Sequence, residues 1–242
     1  MGIRSLVLIL VLTIAVVAFL ATRETFAIFV IPLLQGAVLT LQITLLGCVL
    51  AVIMAVLAAI ATLYGAAPLR WLARFYVEIF RGTSALVQLF WLFFVLPQFG
   101  ISLEPFTVAV LGLGLNIGAY GAEVVRGAII AVPRGQWEAT VALNMKRGEA
   151  LRRIILPQAF VAMIPPWGNL FIELLKSTAL VSLITLTDLA FKAQQLNQTT
   201  MKTVPIFTLV LLIYLGMSLC ITIVMRILER RASRGIARAR GH

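Results

Sequence analysis

The sequence has almost none of the residues that carry catalysis or metal chemistry. Histidine occurs once in 242 residues, as His242, the last position. That excludes a histidine ligand cluster and a Ser-His-Asp arrangement. The two cysteines, Cys48 and Cys220, lie in separate apolar runs. They are too few and too dispersed for a zinc site or a disulfide framework. No G-x-x-x-x-G-K-[ST] segment is present, so the chain cannot cradle ATP in a P-loop. Charged residues make up only 12% of the chain. The net charge of +11 would suit nucleic acid, but no basic stripe interleaved with aromatics accompanies it.

Apolar residues, by contrast, make up 62% of the chain, and the mean hydropathy is +1.06. A soluble domain has about 45–50%. Six apolar runs stand out, near Ser5–Ala21, Leu34–Tyr64, Ser84–Phe99, Phe106–Ala128, Gln158–Leu189 and Pro205–Met225. Runs of this length read as membrane spans. Arg4 before the first run suggests a signal peptide, but the run is long for one and no A-x-A site follows, so a retained helix is expected. Lys and Arg segregate between alternate connecting segments. Sixteen lie with Arg4, Arg70–Arg81, Arg126–Arg153 and Arg226–Arg240, against three at Arg23, Lys192 and Lys202. The bias predicts six spans with both termini and the charged loop in the cytoplasm.

The second and fifth runs exceed the ~20 residues that a bilayer needs. Tilt, a break or an interfacial portion accounts for such excess. In the fifth, Pro165-Pro166 followed by Gly168 predicts a break, with a simple packing kink as the alternative. In the fourth, Gly114, Gly118 and Gly121 share one helical face, which predicts close helix packing. Asn116, Tyr120 and Glu123 fall almost opposite. They either line a translocation path or make inter-helix hydrogen bonds, with Glu123 pairing to Arg126. Lys176 lies inside the fifth run. It either pairs with Glu173 three residues earlier or faces a cavity that meets a zwitterionic solute.

Between Pro133 and Pro157 the chain turns hydrophilic. A short helix is expected over Gln136–Leu143, ended by Asn144 in a left-handed conformation. A second follows from about Gly148. The first has no Lys or Arg and carries Glu138, so it is a poor lipid binder. Small residues and one acid suit insertion into a groove on a soluble partner.

Glu138-Ala139 followed by Asn144 and then Ile154-Ile155-Leu156-Pro157 resembles the cytoplasmic signature of permease subunits of binding-protein-dependent ABC importers. Thr140 stands for the usual second alanine and Asn144 for the usual glycine. FYVEIFRGTSALVQL (75–89), LNIGAYGAEVVRGA (115–128) and LLKSTALVSLI (174–184) resemble the polar amino acid branch, the histidine, glutamine, arginine and opine type. Within it, VLPQFG, GAYGAEVVRGAI and SLITLTDLAFKAQQL look most like ectoine/hydroxyectoine permease subunits.

The resemblance implies an all-α membrane protein of the type I importer fold, a five-helix core plus one N-terminal helix. Residues 1–33 would hold that helix and an external linker, 34–231 the transport domain and 232–242 a basic cytoplasmic tail. It implies a non-enzymatic inner-membrane subunit that imports polar amino acids by alternating access. ATP and Mg would sit on separate ATPase subunits, with no cofactor on this chain. A second permease subunit and a substrate-binding protein complete the implied assembly. Coupling falls to Gly135, Glu138, Ala139 and Asn144, with Pro157 as hinge. Candidate solute contacts, by position and polarity, are Gln88, Asn116, Tyr120, Glu123 and Lys176. The rival readings are an ion-coupled secondary transporter, which usually shows an internal repeat not found here, and a structural membrane subunit.

Overall fold

The computed structural model describes residues 2–239, with side chains described through Ser233. Arg240 and His242 lie outside the described residues. The regular structure is helical throughout: α1 (Ile3–Ala21), α2 (Glu24–Tyr64), α3 (Ala67–Gly82), α4 (Ala85–Phe90), α5 (Pro105–Ile130), α6 (Arg134–Ala142), α7 (Arg147–Ala150), α8 (Leu156–Ser177), α9 (Leu189–Thr200) and α10 (Thr203–Ala239).

Five segments are long and apolar enough to cross a bilayer: α1, α2, α5, the continuous stretch Arg147–Ile184, and Thr203–Ser233. A sixth forms from Ala67–Gly82 and Ala85–Phe99, bent by 107° at their junction. Five of the six expected spans are thus continuous helices among the described residues, and the third is this bent pair, which its apolar run marks only in part. Its first half, α3, is strongly two-faced. Ala73 and Val77 are buried while Arg70, Arg74 and Arg81 are exposed, so no continuous hydrophobic run betrays it.

The core is a seam between α2 and α5. A Cβ on Gly114 would touch Leu50, one on Gly118 would touch Met54 and the Ala51 carbonyl, and one on Gly121 would touch Ala55 and Trp167. On α2, Ala51, Ala55, Ala58 and Ala59 are buried against that glycine face. Lipid tails are as apolar as the side chains, so close backbone packing of small residues holds such a seam. A second cluster joins Phe29, Leu33 and Ala37 of α2 to Leu189 and Ala193 of α9 and Ile206 and Leu209 of α10. That contact explains the length of α2, whose 41 residues reach about 60 Å at the α-helical rise.

The expected break at Pro165-Pro166 is not there. Helix α8 runs through both prolines. Both are exposed, and Pro165 borders a cavity shared with Thr222, Met225 and Glu229 of α10, so the rings find room without breaking the helix. Gly168 serves packing instead, since a Cβ there would crowd Met225 at 3.3 Å. The chain leaves the α-helical path only after Ser177. A tighter helical stretch over Thr178–Ile184 ends at Thr185, whose φ is +70°.

Two wide π-helical turns interrupt the long helices, at Trp91–Val95 and Leu151–Ile155. Each is followed by Leu-Pro-Gln, at 96–98 and 156–158. A proline has no N–H for the carbonyl four residues back and its ring crowds that carbonyl. A widened turn just before it relieves the clash without ending the helix.

Candidate functional site

Two regions combine polar chemistry with exposure. The first is α6. Its inner face is Trp137, packed on the core, and Thr140, which is buried. Thr140 donates to the Trp137 carbonyl at 2.7 Å, and its own carbonyl accepts from Met145 N–H at 3.0 Å. The outer face presents Gly135, Glu138, Ala139 and Ala142, all exposed, beside Val141 and Leu143 at 76% and 70% exposure. A short helix showing small residues, one acid and two unburied apolar side chains is a protein-docking surface in form. Asn144 ends the helix with φ +52°, the left-handed stop its sequence position predicts.

Behind α6 the chain re-enters the membrane through α7 and the wide turn. The Glu149–Arg153 ion pair, 2.7 Å, braces this turn. Pro157 lies just past it, inside a continuous helix rather than at a helix end. Gln158 links the two parts. Its Nε2 donates to the Ile154 carbonyl at 2.9 Å and to Gln136 Oε1 of α6 at 3.2 Å. Sequence reasoning singled out Pro157 and missed its neighbour, which makes the side-chain contact.

The second region is the break in the third span. A helix end leaves its last carbonyls without partners. Here side chains from three elements supply them. Thr83 Oγ1 donates to the Ile79 carbonyl at 2.7 Å. Gln88 Nε2 donates to the Phe80 carbonyl at 2.9 Å and to Thr83 Oγ1 at 2.7 Å. Asn116 Nδ2, across on α5, donates to the same Phe80 carbonyl at 3.0 Å and to Gln88 Oε1 at 3.1 Å. The Tyr120 hydroxyl stands 3.4 Å from the Arg81 carbonyl. Tyr76 secures α3 from below, donating to the Leu115 carbonyl at 2.7 Å, and Gly118 leaves room for its hydroxyl.

Of the five candidate solute contacts, the structure brings Gln88, Asn116 and Tyr120 together and turns them onto backbone. Asn116 is 7% exposed. Glu123 forms the expected pair with Arg126, 2.6 Å between Oε2 and Nη2. Lys176 lies apart on α8, where Asn169, Glu173 and Lys176 form one exposed polar stripe. Glu173 and Lys176 make no ion pair, so of the two readings for Lys176 the internal pairing is absent. Arg81, at the break itself, was read as a loop cation; its position depends on the fold, and no local pattern marks it. Among the described residues no group of three His, Cys, Asp or Glu side chains is placed to hold a metal.

Comparison with known proteins agrees with this architecture. The family described as binding-protein-dependent transport system inner membrane component matches residues 47–234. The chain is 45% identical over 217 residues to the probable amino-acid ABC transporter permease protein y4tF of Sinorhizobium fredii, covering 87% of this chain and 90% of that one. It is 39% identical over 209 residues to the L-cystine transport system permease protein TcyB of Bacillus subtilis, covering 86% and 89%. A crystal structure of an amino acid ABC transporter with histidines superposes with TM-score 0.77 at 35% identity, covering 83% of this chain and 94% of that one. The MetNI methionine transporter in an inward-facing conformation shares the fold, with TM-score 0.68 at 18% identity over 84% and 97% of the two chains. The six-span bundle, the glycine seam and the exposed loop helix thus belong to a member of the binding-protein-dependent transport family, a multi-pass inner-membrane permease subunit of an amino-acid ABC importer and not itself an enzyme.

Proposed function

We propose that this chain forms half of a translocation path, with a second copy or a paralogue as the other half, and opens it alternately to the two sides of the membrane. The observation that carries this is α6, a helix exposed on its outer face yet tied to a continuous span through Gln136 and Gln158. Partner ATPase subunits hold ATP and Mg and receive α6 in a groove. Gly135, Glu138, Ala139 and Asn144 form that contact, and Pro157 with its wide turn is the flexible joint. Both termini and α6 lie on the cytoplasmic side. A substrate-binding protein delivers solute at the other face. ATP drives the cycle through its different affinities for the two arrangements. Gln88, Asn116 and Tyr120 shape the path by holding the break, and Glu123 and Lys176 present charge to it.

The solute is a polar amino acid or a similar zwitterion. The narrower resemblance to ectoine permeases rests on a few short stretches, so ectoine belongs among the test solutes. The experiment is uptake of labelled ectoine, cystine, glutamine, arginine and histidine into proteoliposomes holding this chain, its ATPase, any paired permease and the binding protein. ATP-dependent uptake of one of them supports the reading. Uptake that follows an imposed ion gradient and ignores ATP overturns it in favour of a secondary transporter.

A further inference from the structure

Several charged side chains in the spans lack an ion-pair partner among the described residues, Arg81, Glu173 and Lys176 among them. Only Arg81 stands in built surroundings. It occupies the last turn of α3, where the negative end of a helix favours a cation. Its guanidinium lies over the Tyr120 ring, 5.5 Å from the centroid. The hydroxyl of that same tyrosine is 3.4 Å from the Arg81 carbonyl, so one residue holds both its backbone and its head. Glu123, the next acid along α5, is close enough to feel the Arg81 charge, but Arg126 takes its oxygens.

The depth of this arginine gives it meaning. Tyr120 lies about 22 Å along α5 from Pro105 and about 15 Å from Ile130, so Arg81 sits within the inner half of the bundle. Arg81 is nonetheless exposed. Charged groups at that depth face a partner or a water-filled path rather than lipid. The stacked guanidinium keeps its planar fork of N–H donors open, and that fork matches a carboxylate with two parallel hydrogen bonds.

We infer that Arg81 receives the α-carboxylate of the amino acid as it crosses the membrane, with Tyr120 as the platform that aims it. The inference rests on the importer reading above. Every amino acid carries that carboxylate whatever its side chain, so one arginine serves a permease whose specificity is set elsewhere.

The test is uptake of labelled L-cystine, L-glutamine and L-arginine by the complete complex in proteoliposomes, with Arg81→Gln and Arg81→Lys beside the unaltered chain. ATP hydrolysis stimulated by the loaded binding protein is read in parallel. Arg81→Gln is expected to lower uptake about tenfold or more, the effect of losing one charge-assisted hydrogen bond. Arg81→Lys keeps the charge without the fork and is expected to fall between the two. Stimulated hydrolysis is expected to stay within about twofold in both, showing that docking and closure survive. Uptake by Arg81→Gln within about twofold of the unaltered protein overturns the assignment. So does a parallel loss of uptake and hydrolysis in both variants, which marks Arg81 as a structural residue. Failure of the unaltered complex to take up any of the three counts against the amino-acid importer reading instead.

Discussion

Asn116 Nδ2 donates to Gln88 Oε1 at 3.1 Å, which ties α5 to α4 across the break in the third span. Both side chains also cap the Phe80 carbonyl. Two amides thus replace the backbone donors that the bend removes. Asn116→Leu keeps the volume and deletes this donor. It is expected to cost about 1–3 kcal/mol, the usual penalty for a buried polar group left short of a partner. Thermal unfolding of the detergent-purified chain checks it. An unchanged midpoint would mean that Gln88 alone caps the break.

Glu138 is exposed on α6 and contacts nothing within the chain that a larger cation would disturb. Glu138→Arg is therefore expected to leave membrane insertion intact while uptake falls to background. Membrane fractionation and vesicle uptake on the same preparation separate the two effects. Normal uptake would remove α6 from the coupling role.

Gly36 meets backbone rather than side chain. A Cβ there would stand 2.8 Å from the Asp188 carbonyl oxygen and 2.9 Å from Leu189 Cα. Main chain cannot rotate away, so Gly36→Leu is expected to destabilise by about 1–3 kcal/mol or more through overpacking. Gly127, with open space around its Cβ position, is the control and Gly127→Ala should leave the unfolding midpoint unmoved.

How much of this could be read from the chain depends on how local each cause is. All the spans but the third, the glycine face of α5 and the stop at Asn144 follow from spacing within a few residues, and they stand where the pattern puts them. The break at Thr83 does not. Its caps come from Asn116, 36 residues beyond the Phe80 carbonyl, and from Gln88, so only the assembled bundle shows why a bend is stable there. Pro165-Pro166 misled for the converse reason. Whether a proline pair breaks a helix depends on the room around its rings, and here Pro165 faces a cavity beside α10. Arg81 was counted as a loop charge because α3 carries too many polar residues to look like half a span.

Asp188, past the end of the fifth span, caps α9 by accepting from Phe191 N–H at 2.9 Å. It is fully buried and its other oxygen has no partner. Burial pushes its carboxyl up from 3.8 to about 6, against the pull of the backbone N–H groups. A carboxyl raised on folding stabilises the fold in its protonated form, so the contribution of Asp188 is greatest below about pH 4 and declines as pH rises towards 6. The decline is on the order of 3 kcal/mol. Asp188→Asn retains an oxygen for the cap and loses the titration. It is expected to flatten unfolding midpoints across this window and to exceed the unaltered protein at pH 7 to 8. A variant whose midpoint still falls between pH 4 and 6 would show that another group titrates.

The two wide turns before Leu96-Pro97 and Leu156-Pro157 have a consequence for phase. A wide turn takes up one residue more than an ordinary turn while advancing about as far around and along the axis, so the helix on either side stays in step. Removing a single residue from Leu151–Ile155 would draw the turn back to ordinary pitch. Everything before it would keep nearly its present direction relative to α8, and the outer face of α6 would still point where Gln136 and Gln158 now set it. The same deletion from the regular helix of α8 would instead swing everything before it by about 100° and shift it by about 1.5 Å. The surplus residue is slack that lets the chain enter the Leu156-Pro157 step without turning the loop helix.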